Sequence, residues 1–235
     1  MAKGQEIGAT FLETSSNSQF DSGARTYDAR NFADVGIYAV YSRNQITSNW
    51  GSVFQVSKSY DKLKSYTSRP LSTINSESTQ VSWQNDIKIG TDLLQVITEH
   101  KKEEAVTNQP LNRERTTNSL ALAYQLQRGA HMGSVSTRYD DNSTYGSNVT
   151  GSVGYGYRLS KDLRISGSVG TSFRAPTFNE LYYTGYGNPD IQPEKGKNAE
   201  VGIYYDDGKS DVSVAFYRNR LTNICLLYTS DAADE

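Results

Sequence analysis

The sequence predicts an all-β protein, an antiparallel up-and-down transmembrane β-barrel, and three observations carry that prediction. Apolar and polar residues alternate at period two, short connections alternate with longer ones along the chain, and every proline falls in a long connection.

The alternation is clearest between residues 147 and 174. Val149, Gly151, Val153, Tyr155, Tyr157 and Leu159 share one parity, and Thr150, Ser152, Gly154, Gly156 and Arg158 the other. After the turn Ser160-Lys161-Asp162, Leu163, Ile165, Gly167, Val169, Thr171 and Phe173 fall on one face, with Arg164, Ser166, Ser168, Gly170, Ser172 and Arg174 opposite. Successive side chains of a strand point to opposite faces, so each run has one apolar and one polar side. Runs of this length match a tilted membrane crossing. The same reading predicts strands over 5–13, 35–42, 50–58, 79–89, 92–100, 115–126, 131–140, 147–159, 163–173, 199–206 and 211–221. In the run 92–100, Leu93 and Ile97 interrupt the polar face.

Between these strands the expected short connections are 43–49, 90–91, 127–130, 160–162 and 207–210. The longer ones are 14–34, 59–78, 101–114, 141–146 and 174–198. An up-and-down membrane barrel alternates in this way because its periplasmic turns are tight and its extracellular loops long. A soluble sandwich or propeller has no reason to gather its long loops at one end. Pro70, Pro110, Pro176, Pro189 and Pro193 all fall in the long connections. A proline in a strand leaves a carbonyl unmatched, and lipid offers no water in exchange.

Composition agrees. Only 36% of residues are apolar, yet the chain carries 17 Tyr and 19 Gly, unlike the aromatic-poor composition of disordered chains. No run approaches the roughly 18 apolar residues of a spanning helix, which leaves strand crossings open. Trp50, Trp83, Tyr41, Tyr60, Tyr139 and Tyr157 lie near the expected strand ends, where barrels place interfacial aromatic girdles.

Both termini bear on domain organisation. The opening MAKGQEIGAT lacks the charged-then-apolar pattern of an export signal, so an exported protein is expected to begin upstream. Residues 225–235 read as translated sequencing adapter, leaving 1–224 as the native part, a partial barrel without a plug domain. That tail holds the single cysteine, so no disulfide is expected. Without Asp231, Asp234 and Glu235 the chain has one more base than acid, and no basic patch interleaved with aromatics points to nucleic acid.

No catalytic chemistry is expected. His100 and His131 are the only histidines, and no nucleophile–base, zinc-protease, P-loop or dinucleotide motif is present. Gly151–Gly156 reads as strand packing. Asp21, Asp28 and Asp34 match no calcium-loop spacing and read as solvated loop acids, so neither metal nor cofactor is expected.

The connection 174–198 reads RAPTFNELYYTGYGNPDIQPEKGKN, too long and too aromatic for an idle linker. Phe178, Tyr182, Tyr183 and Tyr186 are its candidate ligand-contacting residues. Ser-Phe-Arg-Ala-Pro at 172–176, Asn-Glu-Leu-Tyr at 179–182, Gly-Asn-Pro at 187–189, Gln-Pro-Glu at 192–194 and Glu200 together resemble the TonB-dependent outer-membrane receptors. The residues carrying the likeness are Arg174, Pro176, Glu180, Leu181, Gly187, Asn188, Pro189, Pro193, Glu194 and Glu200. With the opening GQEIGATFLETSS, the block is most similar to the vitamin B12 (cobalamin) receptor branch.

The resemblance implies a location in the outer membrane of a Gram-negative bacterium and about half of a 22-stranded barrel. It also implies energised uptake of a scarce, large ligand through contact between the TonB complex and the plug. The ligand is cobalamin on the nearest likeness, with a ferric-siderophore or haem receptor as the alternative and a passive porin as a different class. By parity Arg174 and Glu200 face the lumen, where they are expected to pair with each other or with the plug.

Overall fold

The computed structural model describes residues 4–21, 28–67, 71–108, 112–182 and 187–224. Eleven strands and one short helix follow in order: β1 (Gln5–Phe20), β2 (Ala29–Thr47), β3 (Trp50–Tyr66), β4 (Ser72–Ile89), β5 (Asp92–Thr107), β6 (Asn112–Arg128), β7 (His131–Asn142), β8 (Gly146–Arg158), β9 (Leu163–Arg174), α1 (Phe178–Tyr182), β10 (Glu194–Asp206) and β11 (Asp211–Thr222). The strands form one sheet in strict sequence order, each hydrogen-bonded to its chain neighbours. All eleven predicted strands are present.

Contacts divide the chain into two compact units. The first comprises Met1–Ile89, Leu94–Leu122 and Tyr139–Ser147; the second comprises Gly90–Leu93, Ala123–Arg138 and Asn148–Glu235.

The long connections are shorter than expected, because several strands run well past the predicted crossings. The connection expected over 14–34 contracts to 21–28, that over 59–78 to 67–71, and that over 101–114 to 108–111. Several of these extensions, such as 61–64 and 101–104, carry charge on both faces and so hide the period-two signal, yet they pair as regular ladders. Ser65 lies opposite Ser72, and Phe20 opposite Ala29. Cross-strand ion pairs hold them. Lys58 Nζ lies 2.7 Å from Glu77, Lys102 Nζ lies 3.1 Å from Glu114 (and 3.0 Å from Glu104 on its own strand), and Arg115 Nε lies 3.0 Å from Glu103. Opposite charges on adjacent strands stabilise a ladder exposed to water. Pro70 and Pro110 lie outside the described residues, and Pro176, Pro189 and Pro193 are in the connection between β9 and β10.

At the other end the turns are tight. Gly90 and Gly129 open two-residue turns with φ of +64° and +59°, the left-handed conformation that reverses a twisted strand in two residues. The Asp207 side chain accepts the backbone N–H groups of Lys209 and Ser210, closing the turn between β10 and β11. Those two N–H groups hold its carboxyl below the usual range.

Burial is inverted relative to a water-soluble domain. Proline and glycine aside, only Ala29, Ile74, Ala105 and Leu181 are buried apolar residues among those described. Phe11 is 80% exposed, Phe216 73% and Val149 65%, and Val153, Val169, Val201 and Ile203 are each more than half exposed. An apolar face this extensive has no place in water, and lipid is the environment that covers it. Register keeps that face continuous: Val153 lies opposite Val169, Val169 opposite Ala199, and Val201 opposite Phe216.

The aromatic residues expected in the girdle divide between strand ends and other positions. Trp50 donates from Nε1 to Asn85 at 3.0 Å, and Tyr157 packs on His131 beside the turn 129–130. Tyr41, however, sits on the polar face, donating to Glu6 at 2.9 Å beside Arg43. Trp83 and Tyr60 are interior to their lengthened strands rather than near the ends.

Candidate functional site: the β9–β10 connection

The connection begins where Arg174 ends β9. Thr177 then caps α1. Its hydroxyl accepts the Glu180 N–H at 3.2 Å, while the Glu180 carboxylate accepts the Thr177 N–H at 2.7 Å. This reciprocal pair is a capping box, satisfying two backbone donors that a helix start otherwise leaves open.

Glu180 does more than cap. Its two oxygens receive both terminal nitrogens of Arg174, at 3.2 and 3.1 Å, in a bidentate fork. Arg174 also lies 3.6 Å from Glu194 at the start of β10. One guanidinium thus ties β9, α1 and β10 together. Burial alone raises the Glu180 carboxyl; the Thr177 backbone N–H, the Arg174 guanidinium and the Thr177 hydroxyl outweigh it and hold that carboxyl below its ordinary value.

The remaining motif residues build the underside of the connection. Pro176 and Leu181 are buried, as is Pro193. Asn188 donates its N–H to the Glu180 carbonyl at 2.9 Å, and its side chain accepts the Asp190 N–H at 2.9 Å. Gly187 is half-buried and Pro189 exposed in the turn that follows. Of the candidate ligand-contacting aromatics, Phe178 and Tyr182 stack on each other with centroids 6.4 Å apart. Tyr183 and Tyr186 lie outside the described residues.

The expected Arg174–Glu200 pair does not form. β10 begins at Glu194 rather than near residue 199, so Glu194 lies opposite Arg174 and Glu200 lies opposite Ser168. The parity reading holds, since Arg174, Ser168 and Glu200 share the polar face, but six residues of strand separate the two charges. Glu200 instead accepts the Tyr204 hydroxyl at 3.4 Å, and the Arg164 guanidinium lies 4.5 Å from the Tyr204 ring centroid. Glu200 and Arg164 line a hollow of about 420 Å³ on the polar face of the second unit, with Leu93, Gln125, Met132 and Ser168. Leu93, which interrupts the polar pattern of β5, is thereby accounted for.

Sequence reasoning missed Asp92. It is 2% exposed, and it accepts the Tyr124 hydroxyl at 2.6 Å, an Arg128 N–H at 2.6 Å and the Gln127 backbone N–H at 3.2 Å. A lone acid beside a Gly-Thr turn carried no motif, and its partners lie more than thirty residues away in the chain. Asp28 pairs with Arg30 at 2.6 Å and with Gln19, which fits its reading as a loop acid. Among the described residues no group of three or more His, Cys, Asp or Glu could hold a metal ion.

Residues 4–234 match the family described as TonB dependent receptor-like, beta-barrel. The chain belongs to that family. It is therefore an outer-membrane β-barrel protein of the Gram-negative type, in a family of receptors and transporters rather than enzymes. Among relatives, it is 28% identical over 207 residues to the vitamin B12 transporter BtuB of Photobacterium profundum, covering 86% of this chain and 33% of that protein. Over 89 residues it is 38% identical to the vitamin B12 transporter BtuB of Vibrio vulnificus, covering 38% of this chain and 14% of that one. The chain thus spans about a third, or less, of these relatives. Among solved structures, the ferric enterobactin receptor of Pseudomonas aeruginosa superposes with a TM-score of 0.76 at 13% identity, covering 92% of this chain and 40% of that one. The Serratia marcescens hemophore receptor HasR superposes at 0.71 with 13% identity, covering 92% and 43%. Identities this low speak for the fold alone.

Proposed function

We propose that this chain forms part of the barrel wall of a TonB-dependent outer-membrane transporter that takes up cobalamin. The observation carrying this reading is the 28% identity to a vitamin B12 transporter sustained over 86% of the chain. The β9–β10 connection supports it. An ordered platform clamped by Arg174, Glu180 and Glu194 presents Phe178 and Tyr182 at the end of the sheet away from the tight turns. Half-buried aromatics on a fixed loop suit a large, partly apolar ligand. The rest of the barrel, a plug domain and the TonB-contacting segment belong to the full-length receptor, and residues 225–235 are foreign to it.

The test is equilibrium binding of cyanocobalamin, haem and a ferric catecholate siderophore to the full-length receptor in detergent. Cobalamin is expected to bind at least about a hundredfold tighter than the others, a difference of about 2.7 kcal/mol. Preferred binding of the siderophore or haem would replace the ligand while leaving the transporter class. Binding of none, with unselective solute leakage through liposomes, would point to a passive pore.

A further inference from the structure

We propose that Arg158 and Arg164 form a binding site for the negatively charged group of the transported cargo, at the tight-turn end of the inner wall of β8 and β9. The site presupposes the uptake function proposed above but not the choice of cargo. Cobalamin carries a phosphodiester, haem carries propionates, and a ferric catecholate has a net negative charge. Arg158 ends β8 and Arg164 is the second residue of β9, so the two flank the turn at 159–162. They lie directly opposite each other in the ladder, on the polar parity of Ser168 and Glu200. Both are exposed. Like charges facing each other across two strands repel, so the pair is costly unless an anion comes between them.

No carboxylate among the described residues makes an ion pair with either one. The acids nearest in register, Asp162 and Asp206, sit one row beyond them at the turns. Asp162 lies 3.7 Å from Lys161, and Asp206 accepts the Gly208 N–H at 2.8 Å. Glu200 is engaged by Tyr204, whose ring supports the Arg164 guanidinium without supplying a full charge. Arg43, Arg115 and Arg174, also on the polar face, are each matched, with Glu6, Glu103 and Glu180 respectively. Arg158 and Arg164 depart from that pattern.

The wall leading to the pair is bare. Between Arg174 and Arg164 the inward residues of β9 are Ser172, Gly170, Ser168 and Ser166, and beside them on β8 stand Ser152, Gly154 and Gly156. That stretch of β9 runs about 34 Å, at about 3.4 Å per residue. The hollow of about 420 Å³ lies at its tight-turn end, floored by Gly154, Gly156, Ser166 and Ser168, with Arg164 on its edge. The connection bearing Phe178 and Tyr182 stands at its other end. Small hydroxyls exchange hydrogen bonds with a passing solute without holding it. The two guanidinium forks then give an anion a place to stop before release.

The test is energised uptake by cells carrying the full-length receptor, beside equilibrium binding to the purified receptor, with cyanocobalamin, haem and ferric enterobactin as cargoes. For the cargo that the native receptor takes up, Arg158→Gln with Arg164→Gln is expected to leave the equilibrium Kd unchanged. The same variant is expected to lower the maximal uptake rate about tenfold, the contribution of one charge-assisted hydrogen bond. Changing both to Lys, which keeps the charges, is expected to restore most of the rate, and changing both to Glu to lower it further. If cyanocobalamin is the cargo, cobinamide, which lacks the phosphodiester, is expected to enter equally through the native and Gln receptors. Lys161→Gln, in the same turn, is expected to behave as the native receptor does. Compact migration on unheated gels verifies that each variant folds. Native uptake by the Gln variant, a weakened Kd, or equal losses in the Gln and Lys variants would each overturn the site. A matching loss with cobinamide would also overturn it, and would assign the pair to an acidic side chain of the plug. No uptake of any cargo by the native receptor would remove the uptake function itself, and the site with it.

Discussion

Glu180 performs two tasks with one carboxylate, accepting the Thr177 N–H to start α1 and receiving both arms of Arg174 to hold α1 against β9. Because its folded pKa lies below the ordinary value, its stabilising contribution is complete above the ordinary carboxylate range and is lost as pH falls through the lowered value. Amide protection at Thr177 and Glu180, corrected for intrinsic exchange, is expected to stay flat from about pH 7 to about pH 5 and to fall below that. Glu180→Ala should remove that protection at every pH and cost the connection about 1 kcal/mol, without unfolding the strands. Protection that survives the substitution would show that Pro176 and Leu181 alone order the segment. Asp92 is the counterpart at the tight-turn end. Asp92→Ala strands the Tyr124 hydroxyl and the Gln127 N–H, and it should lower the urea stability of the detergent-folded receptor by about 2 kcal/mol.

At the scale of elements, register is what separates the observed site from the expected one. The strand beginning at Glu194 rather than near residue 199 places Ser168 opposite Glu200 and leaves Arg174 to Glu180 and Glu194. In an otherwise cysteine-free receptor, the pair Ser168→Cys and Glu200→Cys is expected to cross-link on mild oxidation, whereas Arg174→Cys with Glu200→Cys should not. The reverse result would restore the shorter strand. The membrane-crossing parts of all eleven strands were legible because lipid enforces alternation there. Val149 to Tyr157 and Leu163 to Phe173 read directly onto β8 and β9. Beyond the lipid the rule lapses. Segments such as Lys101-Lys-Glu-Glu104 read as loop from sequence, although cross-strand pairs such as Arg115–Glu103 hold them in the sheet. The motif around Glu180 was visible as a resemblance, whereas the helix α1 and the capping box at Thr177-x-x-Glu180 were not read from the sequence. The Asp92 cluster was not legible, because nothing local announces which distant hydroxyl an acid will meet.

For the whole molecule, family membership and inverted burial agree that the strands cross the outer membrane. Within the second unit the β9–β10 connection then stands on one side, and the turns at 129–130 and 207–210 on the other. A single cysteine at Asp190, in the connection, and another at Lys209, in the turn between β10 and β11, report on opposite ends of β10. The decisive measurement is labelling of these two variants, each made in an otherwise cysteine-free full-length receptor, by a membrane-impermeant maleimide on intact cells. Asp190→Cys is expected to label on intact cells, and Lys209→Cys only after the outer membrane is permeabilised. Labelling of Lys209→Cys on intact cells, with Asp190→Cys protected until permeabilisation, would contradict the assignment of this chain to a barrel wall with its long connections outside.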